Sequence, residues 1–463
     1  MTWANKTAFF LICAVVIFTT LAYGAVHQPI IAVFYILVTA MMIFGAIDGF
    51  LSGNLRYGKS VLPIPLVAAA VYGFVQIVPF GSLAETAGVS GIPRTISLDP
   101  FATQISALHF LSLAIFLSAA IIFIDSAKRL QKLITVITIF GFVYAFYAIL
   151  QSVLSPNKIY GIYESASGSP FGSFVNRHNF AAFIEMALSL PLGLMFVGAV
   201  KKDKRLLYVT AIALMGIALL LSGSRGGLVA FLAQIIFLII LTTKSESYAH
   251  IVLKAGLAAA LVAAIIGGSF FVGGETSLTR FVETAASENV TTDRSHIWSV
   301  TLDVIKENMP FGAGLGAFGV AYTPFDSLSG LDRVEQAHND YLQVLADAGI
   351  IGLIIGGFFL FWLFREGLQN AKTENIFRRG AVTGALAGCF AVLIHSIFDF
   401  VLHTTAISVL FLTLVSIVVS GGNKYADDYE DYEQKRSKKR RPATVTPIDK
   451  GRKKESLEAG NQS

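Results

Sequence analysis

Hydrophobic positions along this chain come in unbroken runs, parted by short polar punctuation, and not as one apolar face of a soluble helix. Each run is about 17–25 residues long, enough to cross a hydrocarbon core of roughly 30 Å. The pattern predicts spans at 9–23, 30–47, 61–79, 103–124, 130–153, 179–199, 206–221, 227–242 and 251–272. Further spans fall at 341–364, 380–398 and 402–420, which makes twelve. The first run, behind Lys6 and ending in small residues at Ala22-Tyr23-Gly24-Ala25, also fits a signal peptide. Because more spans follow at once, an uncleaved anchor is the expectation.

One long polar insert interrupts this series, from Gly273 to the helix re-entered at Tyr341. It carries Asp293-Arg294-Ser295-His296-Ile297-Trp298, then Gly312-Ala313-Gly314-Leu315-Gly316, then Gln336-Ala337-His338-Asn339-Asp340. A connection of this length is either functional or disordered, and its aromatic and helix-patterned content argues for function. Trp298, Leu302, Ile305 and Met309 recur at helical spacing, so an amphipathic helix packed on the membrane domain is expected, ending at Pro310. The glycine run follows no strand, so it reads as a tight turn under Phe318 and not as a dinucleotide loop.

Composition agrees with the pattern: 54% hydrophobic and 14% charged, with a mean hydropathy of +0.67. This is an all-α polytopic membrane protein, and its formal charge of +5 gives no case for nucleic acid. The two cysteines, Cys13 and Cys389, both lie in apolar runs and offer neither a disulfide framework nor a thiolate metal site. Charge bias sets an expected orientation. With the N-terminus in the cytoplasm, inner loops hold Arg56, Lys59, Lys128, Arg129 and Lys132, then the basic residues between Lys201 and Arg205, then Lys244, Arg365, Lys372, Arg378 and Arg379. The other side holds only Arg94, Lys158, Arg177 and Arg225 outside the insert. The expected organisation is therefore 1–272 as about nine helices, 273–340 as an extracytoplasmic loop, 341–422 as about three helices, and 423–463 as a charged, disordered cytoplasmic tail.

Several residues could carry chemistry. Arg225 sits in a very short outward turn beside small residues. It can anchor a helix at headgroup level or bind a diphosphate bidentately, as lysine cannot. Asn176, Arg177, His178 and Asn179 precede the sixth span, where Asn176 or Asn179 can also serve as a helix cap. Glu185 lies one helical face along from His178, and a carboxylate inside a span is a functional candidate. Arg294, taken to stand at a helix start, gains nothing from the dipole there, which points to a partner or ligand. His338 can be a general base or a histidine bonded to a helix end. Zinc on His296, Asp293, Asp340 and His338 is a third option, without supporting ligand spacing. His395, Asp399 and His403 at i, i+4 and i+8 would form one polar stripe acting as relay, support or self-satisfied network.

The order of Gly172 with Asn176 and Asn179, Ser224-Arg225-Gly226, Arg294 with Trp298, Gly312 to Phe318, His338-Asn339-Asp340-Tyr341-Leu342, and Gly349 with Gly352 resembles the O-antigen ligase and O-antigen polymerase superfamily, to which bacterial protein O-oligosaccharyltransferases are related. The resemblance covers 172–352 and implies a GT-C-like helical fold. It also implies transfer of a glycan from undecaprenyl diphosphate to an acceptor hydroxyl at the outer face of the bacterial inner membrane, with inversion and without a cofactor or metal. The acceptor would be another carrier-linked glycan, a lipid-A core sugar or a protein hydroxyl, and membrane lipids would surround the site. By the same resemblance Arg225 and Arg294 would neutralise the departing diphosphate and His338 would take the acceptor's proton. Asn176, Arg177, Asn179, Asn339, Asp340 and Tyr341 would contact substrate. The leading competitor is a secondary transporter or flippase, which would carry a repeat between halves, absent here; a membrane scaffold would not need Arg225, Arg294 and His338 together.

Overall fold

A computed structural model describes residues 1–83, 91–156, 158–164, 169–243, 289–327 and 333–422, with a few isolated positions between 256 and 267. The first eight helices are α1 (Trp3–Leu21), α2 (Gln28–Ser52), α3 (Pro63–Gln76), α4 (Pro100–Phe123), α5 (Ala127–Leu154), α6 (Arg177–Phe196), α7 (Arg205–Leu221) and α8 (Arg225–Thr243). After the insert's first part come α9 (Asn289–Asn308), the short α10 (Phe318–Tyr322), α11 (Asp340–Asn370), α12 (Ile376–His395) and α13 (Thr405–Gly421). Sheet is confined to two pairs of two-residue strands. Eleven of the twelve expected spans are thus helices, and among the described residues nine are long and apolar enough to cross a membrane, with Pro63–Gln76 and Thr405–Gly421 shorter. The span expected at 251–272 and the tail at 423–463 lie outside the described residues.

Local chemistry explains the helix starts. Asp99 accepts from Ala102 N with Pro100 at the first turn, and Ser126 accepts from Arg129 N, each satisfying an otherwise orphan donor. Asn176 caps α6 through His178 N, one of the two bland readings of that segment, while Asn339 caps α11 through Tyr341 N and Leu342 N.

At the centre stand α6, α12 and α13, buried along nearly their whole lengths. Their approach depends on small residues. A Cβ built on Gly193 would lie 2.3 Å from Gly384 Cα, and one on Gly388 would lie 2.5 Å from Ser189 Oγ. Such close backbone contact is how helices associate where lipid removes the hydrophobic drive between them.

The two ends of the bundle differ. At one, Arg56 bonds Asp125 at 2.6 Å and Asp48 at 3.3 Å, Arg129 reaches Asn5 O at 3.2 Å, and Ser60 meets Glu366. The other end gathers Ser173 on Thr20 O, Gln76 on Phe311 O and Asp347 O, and the loops before α6, α8, α11 and α13.

Two details of the sequence reading need correction. The buried face of α9 is Val300, Thr301, Val304 and Ile305, whereas Leu302 and Met309 are 47% and 41% exposed. The helix begins at Asn289 and turns a different face to the bundle than counting from Trp298 implied. His395, Asp399 and His403 do not share a helical stripe, because α12 ends at His395 and the chain turns through 396–404.

If the Gly193–Gly384 approach sets the core spacing, Gly193→Val and Gly384→Val should each destabilise the protein by about 1–3 kcal/mol through overpacking. Denaturant unfolding in detergent micelles reads this directly. A loss within experimental error for both would mean that the two helices are not held at contact distance.

Candidate functional site

The turn after α12 places Asp399 at the hub of a polar cluster. Its side chain is only 3% exposed. His338 Nδ1 lies 3.3 Å from Asp399 Oδ1, and Arg294 Nη2 donates to Oδ2 at 3.2 Å while Nη1 donates to Phe398 O at 2.7 Å. His178 Nδ1 stands 3.6 Å from Oδ2, and Phe400 N donates to Oδ1. Burial alone would raise this carboxyl. The hydrogen bond from His338 and the charges of His178, Arg294 and His338 instead hold it far below the ordinary carboxylate range. A lowered group contributes its stability fully above the unfolded value of about 4 and loses it only as pH falls through the lower folded value. Asp399 is thus a fixed anion.

That anion fixes the tautomer of His338. A carboxylate only accepts, so Nδ1 carries the hydrogen and Nε2 keeps its lone pair in the neutral ring. The side chain is 32% exposed, and Nε2 makes no hydrogen bond among the described residues. His338 adopts φ +50°, rare for a residue with a Cβ. Its neighbours enforce it: Trp298 Nε1 donates to Ala337 O at 3.0 Å, Asp340 N donates to Ser396 O at 2.9 Å, and Phe400 packs edge-on at 4.8 Å.

A second polar chain runs inward from the same hub. His178 Nδ1 lies 2.9 Å from Ser224 Oγ, which lies 3.4 Å from His395 Nε2, and His395 Nδ1 lies 3.2 Å from Glu185 Oε1. His395 and Glu185 are completely buried. The start of α8 closes on this chain because Gly226 and Gly227 lack side chains. A Cβ on Gly226 would meet His395 at 2.9 Å and Phe398 at 3.2 Å. Arg225, the residue before Gly226, is exposed and forms no ion pair among the described residues. Through Phe398, whose carbonyl binds Arg294, the structure brings Arg225 to the same corner as Arg294 and His338. Arg177 is at the start of α6, and its Nη1 would lie 3.5 Å from a Cβ on Gly223 in the turn before Arg225.

The remaining sequence candidates have structural partners. Asn339 caps α11 and donates to Ile397 O at 3.0 Å. Asp340 Oδ1 lies 2.7 Å from His403 Nδ1 and Oδ2 accepts from Leu402 N, while Tyr341 OH donates to Leu393 O at 2.8 Å. Asn179 is buried in the first turn of α6. Burial would lower His403, but the hydrogen bond and charge of Asp340, with Asp347 behind it, raise it above its ordinary value. The stability that pair contributes is complete below about pH 6.5 and is lost as pH rises through the folded value. The glycine run is a turn with φ of +76°, +111° and +76° at Gly312, Gly314 and Gly316. Its amides donate to Asn308 O, Ala346 O, Asp347 and the Gln76 side chain, so no phosphate cradle is left open. The zinc grouping does not assemble: His296 pairs with Asp326 at 2.9 Å, Asp340 with His403 and His338 with Asp399, while the Asp293 side chain lies outside the described residues. Among the described residues no three His, Cys, Asp or Glu side chains form a metal-binding group.

Sequence reading singled out His338, Arg294 and Arg225 but missed Asp399 as the hub of the first two and Ser224 as the link to His395. Polar residues in the hairpin between two apolar spans were the available signal; their pairing depended on where α12 stops.

Fold and site together define an all-α, multi-pass membrane protein with a charged, partly buried site at one end of its helix bundle. Residues 210–356 match the family model described as O-Antigen ligase, so the resemblance to the O-antigen ligase and polymerase superfamily read from motif order is borne out over that stretch. The matched residues include Arg225, Arg294 and His338; His178, Glu185, His395 and Asp399 lie outside them. No curated protein matches the chain.

The Glu185–His395 contact generates a stability test. Glu185→Ala, His395→Ala and the double variant should show a coupling of about 1.5–3 kcal/mol in a double-mutant cycle of unfolding, the range for hydrogen bonds to charged groups. Additive effects would mean that the two side chains do not support one another.

Proposed function

We propose that this chain transfers a glycan from undecaprenyl diphosphate to an acceptor hydroxyl at the outer face of the bacterial inner membrane, as an O-antigen or exopolysaccharide polymerase or an O-antigen ligase. The observation that carries this reading is His338, with Nδ1 held by a fixed anion, Nε2 open, and two arginines at the same corner. In this reading both termini are cytoplasmic, as the distribution of basic loops favours, and the site end of the bundle faces away from the cytoplasm.

The reaction would run in one displacement. His338 Nε2 takes the acceptor proton as that oxygen attacks the anomeric carbon from the face opposite the diphosphate. The bond from the anomeric carbon to the diphosphate oxygen breaks, its electron pair leaving with the diphosphate, and the configuration inverts. Asp399 stabilises the imidazolium that forms, and the ring later loses its proton to water. Diphosphate is already a good leaving group, so it needs charge compensation more than protonation. Arg225, exposed and without an ion pair among the described residues, suits that role most directly. Arg294 has two of its five donors engaged by Phe398 O and Asp399, which leaves three for phosphate oxygens. Its charge is partly offset by Asp399, so the larger share falls to Arg225. Arg177, beside the same turn, would extend the cationic rim. Asn339, Asp340 and Tyr341 would act by holding the His338 segment in place, since their polar groups are engaged within the protein.

His338→Ala should accumulate normally and still bind carrier-linked glycan, yet lose transfer by about 10²–10⁴-fold. His338→Gln keeps hydrogen-bonding capacity but cannot take a proton, so it should be equally inactive. Consumption of carrier-linked glycan in isolated membranes reads both, and an active Gln variant would end the base assignment.

Arg225→Ala and Arg294→Ala should each cost about 10²–10³-fold in the same assay, as removal of one transition-state donor does. The lysine variants should fail nearly as badly, because a point charge lacks the bidentate fork. Full transfer by both lysine variants would reduce the arginines to helix anchors.

A further inference from the structure

At the end of the bundle away from the site, α1 and α5 part to leave an apolar groove of about 850 Å³, within the range of ligand cavities. Its walls are Phe9, Cys13, Ile17 and Phe18 from α1 and Thr135 and Val136 from α5. From Phe9 to Phe18 the groove follows α1 for about 14 Å at the helical rise. It opens outward beside Phe10, which is 66% exposed. Its mouth adjoins a second, basic cleft of about 340 Å³ lined by Lys6, Ser126, Lys128, Arg129 and Lys132. Phe9, Lys128 and Lys132 line both, so the two cavities are neighbours that share these side chains.

Among the described residues no acid balances the charges in the cleft. Lys6, Lys128 and Lys132 are exposed and make no ion pair among the described residues. The nearby acids are already engaged: Asp125 by Arg56 and Arg129, Asp48 by Thr2, Asn5 and Arg56. Arg129 is itself held by Phe123 O and Asn5 O. Three cations that have no counter-ion among the described residues therefore surround the end of an acyl-sized apolar channel that faces the lipid phase. Basic pockets between membrane helices take anionic headgroups for this reason.

We propose that the α1–α5 groove is a binding site for an anionic phospholipid of the surrounding bilayer. One acyl chain lies along Phe9, Cys13 and Ile17, and the headgroup phosphate lies among Lys6, Lys128 and Lys132. The site is remote from His338 and does not depend on the reaction proposed for it.

The test is native mass spectrometry of the full chain released from vesicles of phosphatidylglycerol or of phosphatidylcholine, counting lipid retained through detergent washing. Phosphatidylglycerol should be retained and phosphatidylcholine lost. The triple variant Lys6→Gln, Lys128→Gln, Lys132→Gln should weaken retention about a hundredfold, from roughly a factor of five per lysine near an anionic headgroup. Lys201→Gln, Lys202→Gln and Lys204→Gln together change equally exposed charges in a separate loop and should alter it by less than about threefold, because such charges are screened. Ala14→Trp fills the groove and should displace the lipid with every lysine intact; Ala14→Leu, a smaller intrusion, serves if the tryptophan variant does not fold. Equal retention of the two lipids would show that headgroup charge is not recognised, and an equal loss in the Lys201 control would reduce the site to surface charge; either would overturn the proposal. Unchanged retention in a folded Ala14 variant would show that no acyl chain occupies the groove, and would overturn the proposal.

Discussion

One buried carboxylate organises the site. Asp399 receives His338 and Arg294 within hydrogen-bond range and draws His178 close, and these three side chains come from α6, α9 and the segment before α11. A lone carboxylate so far from water would be costly, so its partners are a structural necessity as well as a chemical opportunity. The same bonds that satisfy Asp399 orient an imidazole, aim a guanidinium and hold a strained backbone at His338. Removing the carboxylate would therefore free three elements at once.

Much of this was legible in the sequence, for a simple reason. In a bilayer the backbone must satisfy itself, so long apolar runs become helices, and the described boundaries fall within a few residues of the expected spans over most of the chain. The run expected at 61–79 closes early, at Gln76, because Pro79 disfavours helix in the residues before it, and the Gln76 side chain bonds Phe311 O and Asp347 O. Single residues out of place in an apolar context were legible too: Arg225, Glu185 and His338 each stood out by the cost of their burial or position. Pairings were not legible. Spacing places residues on one face only while the helix continues, and α12 stops at His395. Glu185 was read beside His178, yet its hydrogen bond is to His395, 210 residues away. Nothing local in the sequence encodes such a contact. The α9 face was misread for a related reason: Trp298 is anchored by its indole to Ala337 O, so it does not mark the centre of the buried stripe.

The matched region and its surroundings divide the work. Arg225, Arg294 and His338 fall inside 210–356, but the groups that fix their geometry come from the helices on either side. Glu185 and His178 ride on α6, and His395 and Asp399 on α12 and the turn that follows. These two helices are the pair locked by Gly193 against Gly384. Close packing by small residues in the membrane core thus sets the distance between the polar groups at its end. The proposed proton transfer would need precision of the order of a hydrogen bond, and rigid, contact-packed helices supply it better than loops do.

Charge balance explains why Arg225 stands apart. Around the site, Asp399 is matched by Arg294 and bonded by His338, and Asp340 lies against His403. Glu185 meets His395 in complete burial, with Ser224 joining that pair to His178. Arg225 is left as an exposed cation at the start of α8, brought in by two glycines that let the helix touch His395. An anion arriving there would meet a charge that no carboxylate among the described residues has cancelled. The paired groups make the geometry rigid, and in the proposed reaction the cation that has no partner among the described residues would supply the attraction for the diphosphate.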